Sequence, residues 1–216
     1  LDTVFDQWNE GQQDATDIEL VVLLDNSSSM YFTDRYVWAN QAMWSIVRAA
    51  QMTSDSISTS VIKFDNSAGY LVKRGEKVAP NQYKMYRPIG LTNPLDALRE
   101  AQGIFATTSR QKKILIVLSD GAWQAMSLTT CNEIVETLGD YGVVTAVGFM
   151  AGEGVDVSTK EKVFAVSTGF GDTYTEEDFR ERVQHRGQVF GVANNGNDLV
   201  KFINKVVAQT IKKGGK

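Results

Sequence analysis

The sequence has little of what marks several large classes of protein. A single cysteine, Cys131, cannot form an intrachain disulfide, and this favours a reducing compartment. The longest apolar runs have the length of strands, so none predicts a membrane-spanning helix. There is no basic stripe, and the formal net charge of -4 argues against a nucleic-acid partner held by bulk electrostatics.

Motifs for nucleotide chemistry and histidine catalysis are also missing. No G-x-G-x-x-G follows the first apolar run, and GFMAGEG at 148–154 lacks the required spacing and context. The only histidine, His185, lies in the polar stretch ERVQHRG, which is more typical of a surface residue than of a catalytic base. We therefore expect neither nucleotide binding nor histidine-based catalysis.

The length of 216 residues is enough for one substantial core. Residues 1–17 are polar and unpatterned, and we interpret them as a leader or tether. Residues 18–212 then form one domain, and 213–216 a flexible tail.

Apolar runs alternate with helical patterns along this domain. The predicted strands are 19–25, 60–64, 70–73, 114–118, 143–149 and 188–193. The predicted helices are 35–53, 93–107, 127–138 and 197–211, with an extra helix between 169 and 187. Strands that are apolar on both faces and alternate with helices predict an α/β fold, with a doubly wound, mostly parallel sheet covered on both sides. Trp38, Trp44 and Cys131 are expected to pack in its core.

Oxygen-bearing side chains follow several of these strands. Asp25, Ser27 and Ser29 form a D-x-S-x-S pattern in ELVVLLDNSSSM, where alternate residues of an extended turn can point the same way. Thr92 in PIGLTNPLDAL and Asp120 in ILIVLSDG would lie at the same sheet edge. Together they could supply hard oxygen ligands to Mg²⁺. Alternatively, the serines only cap the following turn and Asp120 begins a helix.

These motifs closely resemble those of the von Willebrand factor type A family, whose metal-ion-dependent adhesion site combines them in the same order. The resemblance extends from about residue 18 to 212 and implies a Rossmann-like fold. It also implies a Mg²⁺ site, with Mn²⁺ or Ca²⁺ as possible substitutes, in which Ser27, Ser29 and sometimes Thr92 bind directly. Asp25 and Asp120 would often act through water.

The resemblance implies a non-catalytic module whose bound cation captures an aspartate or glutamate of a partner protein. Family members work as intracellular adaptors of AAA+ ATPases, such as midasin, chelatase subunits and MoxR-associated proteins, or in extracellular adhesion. The single cysteine, and the absence of the disulfides often found around extracellular members, favour a cytoplasmic AAA+ adaptor, with extracellular or surface adhesion as the alternative.

Three aromatic residues leave two alternatives for the surroundings of this site. Tyr31, Phe32 and Trp123 adjoin its residues, and they either close the edge of the domain or form a rim that contacts the partner.

A magnesium-dependent hydrolase is less favoured, because haloacid-dehalogenase phosphatases need a second carboxylate at the position of Ser27. Response-regulator receivers need an acidic pair and a later lysine for which we find no convincing set.

Overall fold

We describe the fold from a computed structural model, which describes residues 17–52, 56–120, 125–150, 189–193 and 197–199, together with 201, 203 and 205. Several predictions lie outside these residues: the leader up to residue 16, the setting of Trp123, the helix between 169 and 187 with His185, the end of the closing helix and the tail 213–216.

The described strands form one six-stranded sheet in the order β3-β2-β1-β4-β5-β6. Their bounds are β1 Ile18–Asp25, β2 Ile57–Phe64, β3 Ala68–Val72, β4 Lys112–Ser119, β5 Val143–Met150 and β6 Val189–Ala193. β3 runs antiparallel to β2, and the other neighbours are parallel. The prediction of a mostly parallel sheet is therefore confirmed.

Three helices with defined bounds connect these strands: α1 Arg35–Met52, α2 Leu95–Thr107 and α3 Ala125–Asp140. Short 3-10 segments span Ser28–Asp34 and Pro80–Gln82, and neither was predicted. The described residues from 197 to 205 are helical, as expected for the start of the closing helix. Within the described part of the chain, no helix is long and apolar enough to cross a bilayer.

Apolar side chains cover both faces of the sheet. On one face, α2 and α3 pack against alternate residues of the central strands through Leu98, Phe105, Ile134 and Leu138. On the other face, α1 and the closing helix contribute a second cluster that includes Met43, Val47, Leu199 and Ile203. The sheet is therefore doubly wound, as its apolar strands predicted.

The expected burial of three side chains in the core is confirmed for two and partial for the third. Cys131 and Trp44 are buried, and the Trp44 indole Nε1 donates to the Lys84 backbone oxygen at 2.8 Å. Trp38 is only partly buried against the same cluster.

β2 begins at Ile57, three residues before the predicted start at Ser60. The apolar pattern missed this part because Ser58 and Thr59 are polar. Both are nevertheless buried, since they pair with Glu19 and Leu20 of β1 in the parallel ladder.

Glu19 is fully buried near the amino ends of the central strands. Its Oε2 accepts hydrogen bonds from Arg74 Nη2 and Thr108 Oγ1, each at 2.7 Å. Arg110 Nε lies 3.8 Å from the same oxygen and also pairs with Asp17. This network links the start of β1 to two loops, the one after β3 and the one between α2 and β4. It lies at the end of the sheet opposite the carboxyl ends of the parallel strands.

Replacing Glu19 by alanine should destabilise the protein, because Arg74 and Arg110 would lose their buried carboxylate. Both arginines keep access to solvent, so we expect a loss in the free energy of unfolding on the order of 2–4 kcal/mol, measured by urea denaturation. Glu133→Ala, at an exposed position of α3, should change little. Equal effects of the two substitutions would contradict the assigned role.

Candidate metal centre

The polar side chains predicted from the sequence lie at the point where the order of the strands in the sheet reverses. β1 lies between β2 and β4 in the strand order, and later strands are added beyond β4, so β1 and β4 form the switch point of the doubly wound sheet. Leu24 of β1 pairs with Leu118 of β4, which brings the carboxyl ends of the two strands together. Ligands of such sheets bind in the crevice outside these ends.

Asp25 is the last residue of β1, and both oxygens of its carboxylate accept hydrogen bonds. Its side chain is buried, with 2% exposed. Oδ1 accepts a hydrogen bond from the Ser27 backbone N–H at 2.9 Å, and Oδ2 accepts one from Ser119 Oγ at 2.5 Å. Ser27 is also buried, and its Oγ lies 3.0 Å from Ser29 Oγ. The D-x-S-x-S segment therefore does converge.

Asp120 directly follows β4 and is also buried, with 4% of the residue exposed. Arg35 Nη1 donates a hydrogen bond to Asp120 Oδ2 at 3.1 Å. Neither Arg35 nor Ser119 was predicted to belong to this site. Ser119 could have been found, because it ends an apolar strand beside Asp120. No sequence pattern could have predicted the contact of Arg35 with Asp120, because the two residues are 85 positions apart.

Thr92 is buried in a segment that is fastened to the loop after β1. The Ser28 backbone N–H donates to the Gly90 oxygen at 3.1 Å, and the Ile89 N–H donates to the Asn26 oxygen at 2.7 Å. The structure thus brings the Thr92 segment to the same sheet edge as the D-x-S-x-S segment.

Gly90 is required at this junction for two reasons. Its φ of +74° lies in the left-handed region, and an added Cβ would lie 2.8 Å from Asn66 Oδ1. That same oxygen accepts a hydrogen bond from the Leu91 N–H at 2.7 Å. Together with the bond from the Asn93 N–H to the Asp65 oxygen at 3.0 Å, this contact holds the segment against the loop after β2.

The two carboxylates interact unfavourably. Burial, followed by the negative charge of Asp120, raises the pKa of Asp25 from 3.8 to about 7. Hydrogen bonds from Ser119 and Ser27 act in the opposite direction without cancelling the rise. A cation near this pair would relieve the repulsion.

Four large apolar side chains are exposed in the two segments just described. Tyr31 and Phe32 follow the D-x-S-x-S segment and are 49% and 69% exposed, whereas Ile89 and Leu91 flank Gly90 and are 60% and 61% exposed. We call these four residues the apolar rim. Trp123, the third predicted rim residue, lies outside the described residues. Ile89 and Leu91 were not predicted, because nothing in the sequence placed them beside Ser28.

The donors at this edge suit a hard divalent cation. The two buried carboxylates and the neighbouring hydroxyls offer only oxygen ligands. Mg²⁺ prefers oxygen ligands, whereas zinc sites do not require them. Among the described residues, no group of three or more histidine, cysteine, aspartate or glutamate side chains is placed to hold a metal. A cation here would therefore depend on the serine and threonine oxygens and on water.

Comparison with known proteins identifies the fold. No protein-family model matches the chain, and no curated protein matches it. A von Willebrand factor type A protein from Catenulispora acidiphila matches 91% of the chain and 43% of its own length, with a TM-score of 0.63 and 15% identity. The chain has the von Willebrand factor type A fold.

Two surface-appendage proteins share this type A fold. The pilus adhesin SpaC from Lactobacillus rhamnosus GG, in an open conformation, matches 94% of the chain with a TM-score of 0.69 and 14% identity. The PilB minor pilin from Streptococcus sanguinis matches 93% with a TM-score of 0.61 and 15% identity. The chain spans 31% of the first protein and 63% of the second. At such low identity the likeness establishes the type A fold alone.

The stability of the metal-free protein should depend on pH through Asp25. Because its pKa is raised in the folded protein from 3.8 to about 7, the folded state keeps a proton that the unfolded state has lost between these values. The free energy of unfolding should therefore fall as pH rises from about 4 to about 7. Urea denaturation in EDTA across this range measures the slope. Asp25→Asn, which cannot lose the proton, should flatten it, and equal slopes in the two proteins would contradict the assignment.

Proposed function

We propose that the domain is a non-catalytic protein-binding module that acts at a cell surface or in a surface appendage. It captures an acidic side chain of a partner protein through a divalent cation, Mg²⁺ or in its place Mn²⁺ or Ca²⁺. The observation that carries this proposal is the buried pair of carboxylates, Asp25 and Asp120, at the switch point of the sheet, with the hydroxyls of Ser27, Ser29 and Ser119 close to Asp25.

The ion would be held by two kinds of ligand from this chain. Ser27, Ser29 and Thr92 would offer neutral oxygens, while Asp25 and Asp120 would supply the negative charge. When bound, the cation supplies a positive centre to which a partner carboxylate can attach. Ser119 and the Ser27 backbone N–H keep the Asp25 carboxylate in place, so the donors are organised by hydrogen bonds of the protein itself.

The comparisons favour the surface alternative over the intracellular adaptor. SpaC is a pilus adhesin and PilB a minor pilin, and both are therefore parts of surface appendages. The expectation of a cytoplasmic AAA+ adaptor depended on the single cysteine and gains no support from these neighbours. We accordingly propose a surface location.

A hydrolase is the weaker alternative. Its chemistry would need a nucleophile paired with a base beside the ion. In the described part of the site, Ser27 Oγ lies 3.0 Å from another serine hydroxyl, and its side chain also hydrogen-bonds to Asp25, a carboxylate that we assign to the cation. Magnesium-dependent phosphatase activity that Ser27→Ala abolishes would favour the hydrolase over a binding module.

The apolar rim indicates what surrounds the partner's acidic residue. Tyr31 and Phe32 follow the D-x-S-x-S segment, and Ile89 and Leu91 flank Gly90 in the segment that leads to Thr92. The backbone bond between Ser28 and Gly90 holds the two segments together. Interfaces commonly bury aromatic and aliphatic anchors around a central polar contact. We therefore propose that the partner presents an aspartate or glutamate flanked by apolar side chains.

Removing either carboxylate should abolish Mg²⁺ binding. We expect no measurable binding for Asp25→Ala or Asp120→Ala by isothermal titration calorimetry, because each removes one of the two negative charges at the centre. The circular dichroism spectrum should stay native, since neither side chain belongs to the apolar clusters. Asp96→Ala, which alters an exposed carboxylate of α2, is the matched control. Full Mg²⁺ affinity in either site variant would contradict the ligand assignment.

Changes to the apolar rim should weaken partner binding without changing Mg²⁺ affinity. A suitable probe is a short peptide with one glutamate flanked by leucines, compared by NMR titration with the same peptide flanked by serines. Phe32→Ser or Leu91→Ser should lower affinity for the leucine peptide about three- to ten-fold, from the lost apolar burial. Met52→Ser alters an equally exposed apolar residue at the far end of α1 and should have no effect. No preference for the leucine peptide in the wild-type protein would exclude the proposed partner chemistry.

A further inference from the structure

Arg35 is a cationic residue that the structure places beside the candidate metal centre. Its Nη1 lies 3.1 Å from Asp120 Oδ2, and the two side chains are 18% and 2% exposed. An ion pair this far from solvent is screened much less than a surface pair.

The position of Arg35 in α1 is otherwise unfavourable for a positive charge. Arg35 is the first residue of this helix, and a cation near a helix N-terminus is opposed by the helix dipole. The preceding 3-10 segment fixes the residue there, because the Arg35 backbone N–H bonds to the oxygens of Met30 and Phe32. The contact with Asp120 compensates for this placement.

We propose that Arg35 is a built-in counter-cation that stabilises the metal-free centre and lowers its affinity for divalent cations. The proposal rests on the function proposed above. Without metal, the guanidinium offsets part of the repulsion between Asp25 and Asp120. A divalent cation must then share the Asp120 carboxylate with Arg35 and is repelled by its charge.

Arg35 also changes the charge of the loaded centre. Two ionised aspartates neutralise a divalent cation, and Arg35 adds one positive charge to that neutral set. The loaded centre therefore keeps a net positive charge, which favours the binding of a carboxylate. Arg35 thus weakens the binding of metal and strengthens the binding of an acidic ligand.

Metal affinity distinguishes this role from that of a residue that merely orients Asp120. We would measure Mg²⁺ binding by calorimetry, and thermal unfolding in EDTA, for the full 216-residue chain and three variants. Arg35→Gln should bind Mg²⁺ about ten-fold more tightly and unfold at a lower temperature without metal. Arg35→Lys should stay close to the wild type in both measurements. Arg99→Gln, which removes an exposed arginine of α2, is the control for net charge.

Unchanged or weaker Mg²⁺ binding by Arg35→Gln would overturn the proposal, because an orienting residue gives that result. Metal-free unfolding of Arg35→Gln at the same temperature as Arg99→Gln would overturn it as well. If neither the wild type nor any variant binds Mg²⁺, the proposed function and the effect on affinity both fail. Unfolding in EDTA still decides in that case whether Arg35 stabilises the empty centre.

Discussion

Two carboxylates buried side by side at the carboxyl ends of β1 and β4 are the constraint on which the site depends. The parallel pairing of these strands places Asp25 and Asp120 close together, and burial makes their repulsion costly. Ser27, Ser119 and Arg35 each offset part of that cost. The centre is therefore arranged around negative charge, and a divalent cation would complete it.

The opposite edge of the sheet handles buried charge differently. In the residues that the structure describes, Glu19 and Asp17 face two arginines, Arg74 and Arg110. At the carboxyl edge Arg35 pairs with Asp120, and the negative charge of Asp120 also raises the pKa of the buried Asp25. The first arrangement is suited to holding the fold together, and the second to receiving a further cation. This contrast in charge separates the structural edge from the candidate functional edge of one sheet.

The sequence predicted the sheet, the helices among the described residues, and the gathering of the D-x-S-x-S segment with Thr92 and Asp120. It succeeded because apolar runs mark buried parallel strands, and parallel strands bring the residues after them to one edge. It missed the start of β2, where polar residues are buried by pairing with β1. It also missed Arg35, Ile89 and Leu91, whose places depend on contacts between distant loops.

The most direct test of the central claim is a crystal structure of the protein grown with Mn²⁺, which scatters anomalously and can replace Mg²⁺. We predict an anomalous peak bounded by oxygens of Ser27, Ser29 and Thr92, with Asp25 and Asp120 reached directly or through water. Displacement of that peak by excess Mg²⁺ would identify the natural class of ion. A well-ordered structure with no peak at the carboxyl ends of β1 and β4, at Mn²⁺ concentrations that occupy other surface carboxylates, would contradict the account.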